Sequence, residues 1–358
     1  MRVLVAMSGG VDSSVAAAVL RDAGHQVIGV TLHLWDAPEE ERVGRCCSPE
    51  DQADARRVCD HLGVPHYVID ETSAFRAHVV DDLVRAYGDG ITPAPCVRCN
   101  QGVKLPALVA LANAFGAERI ATGHYARVVR RGDGAVELHR ARDGKKDQSY
   151  FLFGLDRATL ERLELPLSDV TKDESRAIAR RAGLPNADKG DSQELCFVPD
   201  GDVGAFVERQ GGGGRAGVMR DADGRRLGTH AGVHHFTIGQ RRGLGLGGGA
   251  SRYVLRIVPD TGEVVVGSDD ALLGSTLVAR DARWCGDDPP REPFEADVRI
   301  RYRHAAARAT VTPAADGCTF DARFLEPQRA ITPGQAAVVY DGTRVVGGGV
   351  IVGAAGAA

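Results

Sequence analysis

The sequence predicts an α/β protein in three parts: a parallel-sheet domain, a small linking domain, and a C-terminal β-barrel. Three observations carry that expectation. Over the first 130 residues, β-type runs alternate with helical runs, the pattern of βαβ crossovers and a parallel sheet. After about residue 200 the composition changes, and "RQGGGGRAG" at 209–217 reads as a flexible connection. From about residue 276, short runs alternate apolar and polar residues at strand spacing, which suits a small barrel or sandwich. The domains are accordingly expected at 1–200, 201–272 and 273–358.

In the first domain "RVLVAM" leads to a helix over 13–23, "QVIGVTLHLW" to one over 49–62, and "PHYVID" to one over 73–87. A helix over 104–115 precedes "ERIATGHYARVV", which reads as the next strand. "SDVTKDESRAIARRAG" at 168–183 opens with capping residues and closes on Gly183, as a helix does. Between 217 and 268, short β-type runs are broken by Gly-rich turns such as "TIGQRRGLGLGGG". "EADVRIRYR", "AARATVTPA", "CTFDARFL", "QAAVVYDG" and "RVVGGGVIV" supply the barrel, and the final "GAAGAA" is expected to fray.

A chain of 358 residues has room for two or three domains with sizeable cores. Its 43% hydrophobic and 26% charged residues are ordinary for a soluble globular protein. No apolar run reaches membrane-spanning length, and the N-terminus is a short strand broken by Gly and Asp rather than a signal peptide. A cytoplasmic protein with no membrane partner is expected. The formal net charge of −4 argues against indiscriminate nucleic-acid binding. Local clusters leave a structured RNA open as a partner: Arg127/Arg130/Arg131, Arg140/Arg142/Lys145/Lys146, Arg225/Arg226, Arg241/Arg242 and Arg299/Arg301/Arg303. A solvated face is the plainer reading of any one cluster alone.

"MSGGVDSS" at 7–14 follows the first strand and opens the first helix. Gly9 and Gly10 allow a tight turn that points backbone N–H groups into one concavity, at the positive end of the helix. Ser8, Ser13 and Ser14 carry hydroxyl donors. Asp12 adds a negative charge to an anion site, and Mg²⁺ held between it and ATP would resolve the conflict. The loop lacks the lysine of G-x-x-x-x-G-K-[ST]. It suits a grip on a pyrophosphate leaving group better than transfer of a terminal phosphate. "MSGGVDSS", "TLHLW" and "ATGHY" all fall at the carboxyl ends of strands, where open parallel sheets bind ligands.

Eight cysteines, at 46, 47, 59, 96, 99, 196, 285 and 318, point to metal, catalysis or burial rather than to a disulfide framework. Cys96 and Cys99 lie on a Pro-rich loop ahead of a helix, where Arg98 and Lys104 are expected to lower the pKa of Cys99. Cys196 lies in an acidic stretch that suits a thiol carrying a transferred sulfur. Structural zinc on Cys96 and Cys99 lacks a second C-x-x-C or H-x₃₋₅-H partner. A [4Fe–4S] cluster on Cys96, Cys99 and Cys196 is the stronger metal alternative. Cys46, Cys47, Cys59, Cys285 and Cys318 have no comparable context.

The loop resembles that of the ATP pyrophosphatases, a superfamily that includes GMP synthetase, NAD synthetase and the tRNA thiolases. With "TGHYAR", "KDQSYFL", "DSQELCF", "GQRRGLG", "RYR" and "TPGQAAVVYDG", the chain from Val3 almost to its end resembles the tRNA-specific 2-thiouridylases of the bacterial MnmA family. That resemblance implies an adenylating first domain and a barrel that contacts tRNA. ATP with Mg²⁺ would adenylate the C2 oxygen of wobble uridine U34 in tRNA of Glu, Gln and Lys type. A cysteine persulfide would then deliver sulfur, releasing AMP.

Carried over by motif, the resemblance places ATP on Ala6, Met7, Ser8, Gly9, Gly10, Val11, Asp12 and Ser13, with Leu32 and Gly123 completing the pocket. Cys196 matches the persulfide carrier. Cys99 matches the second catalytic cysteine, which frees sulfide or resolves the persulfide as a disulfide with Cys196. His124, Lys146, Asp147, Gln148, Arg301, Tyr302 and Gln335 match tRNA-contacting positions. Taken alone, His124 equally fits a satisfied core histidine. The implied sulfur source is a cysteine desulfurase, directly or through a carrier protein, and a monomer is expected. One departure stands out: "APCVRCN" replaces the family's "NPDxxCN", so Cys96 occupies the place of an aspartate. The rival readings are a small-molecule pyrophosphate-loop synthetase and a non-catalytic RNA-binding metal sensor.

Overall fold

The structure, a computed structural model, describes residues 1–36, 49–191, 195–198, 201–247, 251–286 and 288–353. Cys46, Cys47 and the tail from 354 lie outside the described residues.

Seven strands fall in the first part of the chain: β1 (Arg2–Ala6), β2 (Gln26–His33), β3 (His66–Asp70), β4 (Arg119–Ala121), β5 (Ala126–Arg130), β6 (Val136–Arg140) and β7 (Leu163–Glu164). Five of them form a wholly parallel sheet in the order β3-β2-β1-β4-β7. Its central strand is apolar on both faces because helices cover both. Val3 and Val5 pack with the helices Val11–Asp22, Pro49–Leu62 and Lys172–Arg181, while Leu4 packs with Leu105–Ala114 on the other side. This is the period-2 division of a buried parallel strand. Thr171 and Glu174 form a reciprocal capping box that fixes the start of the helix Lys172–Arg181.

"ERIATGHYARVV" is not one strand, contrary to expectation. It breaks after β4 at Gly123, whose backbone lies against the start of the helix Val11–Asp22: a Cβ there would stand 2.6 Å from the Ser13 amide nitrogen. The chain leaves the parallel sheet, and β5 pairs with β6 in an antiparallel hairpin. Strand propensity fixes an extended backbone but not the sheet it joins.

The linking domain holds β8 (Gly217–Asp221), β9 (Arg226–His230), β10 (Tyr253–Val258) and β11 (Glu263–Gly267), in the order β10-β11-β8-β9. Met219, Val233, Phe236, Val254 and Val264 fill its core. The glycine stretch before it is packed, which corrects the expectation of a flexible connection. A Cβ on Gly212 would stand 2.2 Å from Val84 Cγ1, and one on Gly214 2.3 Å from Val233 Cγ2. The missing side chains let this segment lie flat against the helix Asp81–Gly88.

The third part is a six-stranded antiparallel barrel of β12 (Leu273–Trp284), β13 (Phe294–Arg299), β14 (Ala307–Pro313), β15 (Phe320–Arg329), β16 (Ala336–Asp341) and β17 (Arg344–Gly353). The order β12-β15-β14-β13-β16-β17 closes through β12–β17, which removes the exposed sheet edges. Leu277, Val298, Val311, Phe320, Phe324 and Val339 fill it. The first domain is stitched to this barrel: β6 pairs with β17 at His139 and Arg344. Tyr150 donates to the Ala336 carbonyl at 3.0 Å across the same contact. Among the described residues no helix is long and apolar enough to cross a membrane.

Candidate active site

The turn after β1 is built by backbone approach. Gly9 has φ +73°, and a Cβ on it would stand 2.2 Å from the Asp51 carbonyl oxygen. Only glycine serves both demands. Ser13 and Ser14, both buried, donate their hydroxyls to the Gly10 carbonyl at 3.0 and 2.9 Å. Ser13 Oγ also accepts from the Ser8 amide at 3.1 Å. These hydroxyls brace the loop from within. Thr31 donates to the Met7 carbonyl at 2.8 Å, tying the loop to β2, where Leu32 lies near the carboxyl end. Gly123 follows β4 on the same rim.

The lysine absent from the loop arrives from elsewhere. Lys172, the first residue of the helix Lys172–Arg181, donates to both Asp12 carboxylate oxygens at 2.8 Å. Tyr125 donates to Asp12 Oδ1 at 2.8 Å. The charge of Asp12, for which sequence reasoning offered Mg²⁺, is thus balanced within the chain. Lys189 reaches the Gly9 carbonyl at 3.3 Å and pairs with Asp51 and Asp54. Asn186, buried, donates to the Gly9 carbonyl and Ser14 Oγ, each at 3.0 Å. Lys172 also pairs with Asp191 at 2.9 Å, and Asp191 takes Lys146 at 2.7 Å and Arg176 at 2.9 Å. Partial burial works to raise the Asp191 carboxyl, but the hydrogen bonds from Lys146 and Lys172 hold it well below the usual carboxylate range.

Cys99 ends the short helix Pro95–Cys99 and is buried in the cluster that includes Val97, Val103 and Phe197. Cys196 is half-buried and packs against that cluster. Both stand as thiols. The expected depression of the Cys99 pKa is overturned. Burial pushes the thiol up, and Lys104 only partly offsets it. Arg98 turns instead to Asp82 at 3.6 Å and Asp281 at 4.0 Å. Behind this helix a cavity of about 520 Å³ opens against the barrel, lined by Arg98, Gln101, Phe153, Asp281, Arg283 and Cys318 among others.

The positions matched to tRNA contacts fall on both sides of the junction between first domain and barrel. Burial, aided by Lys104, pulls the pKa of His124 well below the usual imidazole range, and its Nδ1 lies 2.7 Å from the Thr122 hydroxyl. Gln148 accepts from the Tyr125 amide at 3.0 Å. Asp147 is only 3% exposed; it accepts from the Ser149 hydroxyl at 3.0 Å and from Arg299 at 3.3 Å. Its carboxylate is committed inside the protein. The Tyr302 ring stacks 4.4 Å from Phe151, and Arg301 donates to the Arg329 carbonyl at 3.2 Å. Gln335 donates to the Thr92 and Pro93 carbonyls, each at 3.0 Å, so a barrel residue holds the loop entering the cysteine helix.

Residues 1–200 match the tRNA methyl transferase HUP domain family, 205–268 the tRNA methyl transferase PRC-barrel domain family, and 265–351 the aminomethyltransferase beta-barrel domain family. The tRNA-specific 2-thiouridylase MnmA of Sorangium cellulosum is 52% identical over 354 residues, spanning 97% of this chain and 91% of its own. MnmA of Chloroflexus aggregans is 48% identical over 353 residues and 97% of both chains. The chain belongs to the tRNA-specific 2-thiouridylase family.

In this thiouridylase the residues that sequence reasoning missed are Lys172, Asn186, Lys189 and Asp191. The one available signal was the uncompensated Asp12, which required a cation from somewhere. One other cluster resembles a metal site: among the described residues, Glu208, His234 and His235 bring their donor atoms within 4.8 Å of one another. Hydrogen bonding opposes a metal there. The Gly214 amide donates to His234 Nδ1 at 2.8 Å, so the imidazole proton resides on Nε2, 3.1 Å from Glu208.

Proposed function

We propose that this enzyme performs ATP-dependent 2-thiolation of U34 in tRNA of Glu, Gln and Lys type, in the cytoplasm and as a monomer. The observation that carries the reading is a lysine-covered loop at the carboxyl edge of a parallel sheet, in a chain where Cys99 lies within one hydrophobic cluster and Cys196 packs against it. Residues Ala6 to Ser13, with Leu32 and Gly123, hold ATP. Mg²⁺ would arrive with ATP, and Asp12 would be its carboxylate ligand only where Lys172 gives up one of the two oxygens it holds.

The uridine C2 oxygen attacks the α-phosphorus, and the pyrophosphate takes the electron pair of the broken P–O bond. Adenylation converts a poor leaving group into a phosphate ester. A cysteine desulfurase or carrier protein loads Cys196 as a persulfide. The terminal sulfur attacks C2, and AMP departs with the former C2 oxygen. The Cys99 thiolate then attacks Cys196 Sγ, forming the Cys99–Cys196 disulfide and leaving the sulfur on the base. Two thiol equivalents of a cellular reductant then reduce that disulfide through a mixed disulfide, leaving as a disulfide themselves. His124, Lys146, Gln148, Arg301, Tyr302 and Gln335 contact the anticodon arm, with the base drawn from its stack. Asp147 serves by positioning Arg299.

An iron–sulfur route is the second reading, favoured by one observation: Cys96 shares the helix of Cys99. Three thiols on Cys96, Cys99 and Cys196 would hold a [4Fe–4S] cluster with one iron open, which supplies a site for sulfur. Brown protein after anaerobic purification, colourless in Cys96→Ser, would support it. A colourless, metal-free preparation that still thiolates removes it.

The experiment for the main reading is nucleoside mass spectrometry of unmodified tRNA incubated with enzyme, ATP–Mg²⁺, cysteine and a cysteine desulfurase. 2-Thiouridine is expected with the wild type and absent with Cys99→Ala and Cys196→Ala. Pyrophosphate release that ignores tRNA would return the chain to the small-molecule synthetases.

A further inference from the structure

The nucleotide loop and the segment matched to tRNA are joined by one chain of ion pairs. Asp12 holds Lys172 at 2.8 Å, Lys172 holds Asp191 at 2.9 Å, and Asp191 holds Lys146 at 2.7 Å. The two ends differ in access. The Lys172 side chain is 12% exposed, whereas that of Lys146 is 40% exposed. Arg176 is a third cation on Asp191, at 2.9 Å, and stays inside the first domain. Lys172 is shared between two carboxylates, so it answers to a change at either one. Charge-assisted pairs in a half-buried site are strong enough to be felt across one intervening group.

We propose that Asp191 is a positioning residue that couples tRNA docking to ATP–Mg²⁺ binding, by setting which carboxylate Lys172 serves. Without tRNA, Lys146 satisfies part of Asp191, and Lys172 is divided between Asp12 at 2.8 Å and Asp191 at 2.9 Å. An RNA phosphate recruits Lys146. Asp191 then draws Lys172 toward itself, and Asp12 is released to take the Mg²⁺ of incoming ATP. This role rests on the thiouridylase reading and goes beyond it, because it assigns a route by which bound tRNA strengthens ATP–Mg²⁺ binding. It also gives the two ends of the relay opposite signatures. Coupling between two ligands is reciprocal and has a measurable ratio.

The test is equilibrium binding of a non-hydrolysable ATP analogue with Mg²⁺ to the full chain, with and without unmodified tRNA. Wild type is expected to bind the analogue about tenfold more tightly when tRNA is present. Lys146→Gln imitates the tRNA-engaged state, so it should bind the analogue tightly without tRNA and gain little from adding it. Asp191→Asn leaves Lys172 to Asp12 alone, so it should bind the analogue more weakly than wild type under both conditions. A structural defect would shift both variants the same way. Variants that shift together, coupling that survives Asp191→Asn, or a wild type without coupling would each overturn the proposal. Should Asp191→Asn not fold, Lys146→Gln decides alone, since that side chain is exposed. Wild type that makes 2-thiouridine without coupling sinks this inference and leaves the thiouridylase reading standing; failure to make 2-thiouridine sinks the reading itself.

Discussion

Arg299 of the barrel reaches into the first domain and donates to Asp147 at 3.3 Å, Asp147 being buried and Arg299 mostly so. The same guanidinium donates to the carbonyls of Tyr302 and His304. One arginine therefore fixes the relative position of the Lys146–Gln148 segment and the Arg301–Tyr302 turn. Asp147→Ala leaves that partly buried cation without a carboxylate partner. Its cost should be about 3–5 kcal/mol, read from denaturant unfolding, with tRNA affinity falling in parallel. Unchanged stability would show that the pair does not hold the junction.

Gly9→Ala places a side chain where φ is +73° and the Asp51 carbonyl stands 2.2 Å away. Left-handed strain alone costs about 1–3 kcal/mol. The collision adds to it and moves the helix Pro49–Leu62 off the loop. ATP binding by calorimetry should be lost while the barrel keeps its fold. Normal ATP affinity in this variant would mean the loop is not the nucleotide site.

Cys99 titrates above the ordinary thiol range because burial outweighs Lys104. A raised thiol pKa means that the thiolate fraction at neutral pH is small and grows about tenfold per pH unit. The single-turnover rate of disulfide resolution should therefore rise through pH 8 and 9 without levelling. Lys104→Met removes the stabilising cation, raises the pKa further and lowers the rate at any fixed pH. A plateau below pH 8 would contradict the buried thiol.

The glycine strap gives a stability test. Gly212→Ala sets a methyl 2.2 Å from Val84 Cγ1, an overpacking that should cost about 1–3 kcal/mol. Thermal unfolding of the full chain measures it. A true flexible linker would show no change.

What was legible in the sequence was mostly local. The turn at Gly9 and Gly10, the apolar strand through Val3, Leu4 and Val5, and the cap at Thr171 each declare themselves within a few residues. Lys172 did not, because an N-terminal lysine on a polar helix looks solvated until the fold brings it to Asp12. Cys99 misled for the same reason: neighbouring charges are visible in sequence, whereas burial is a property of the tertiary structure. β5 was recognised as extended, but its departure to another sheet is decided by Gly123 against the helix at Ser13. The run of glycines before the linking domain has the composition of a tether, and only its neighbours Val84 and Val233 show that it is packed.

The pairing of β6 with β17 has a consequence for synthesis. His139 and Arg344 meet across the junction, so on the ribosome the hairpin is complete long before its neighbour exists. Until then the β6 edge lacks even that one pairing, and unpaired edges are the kind of surface that recruits stray strands. A product stopped before β17 would carry the whole Gly9–Gly10 turn, Cys99 and Cys196 beside an under-paired edge.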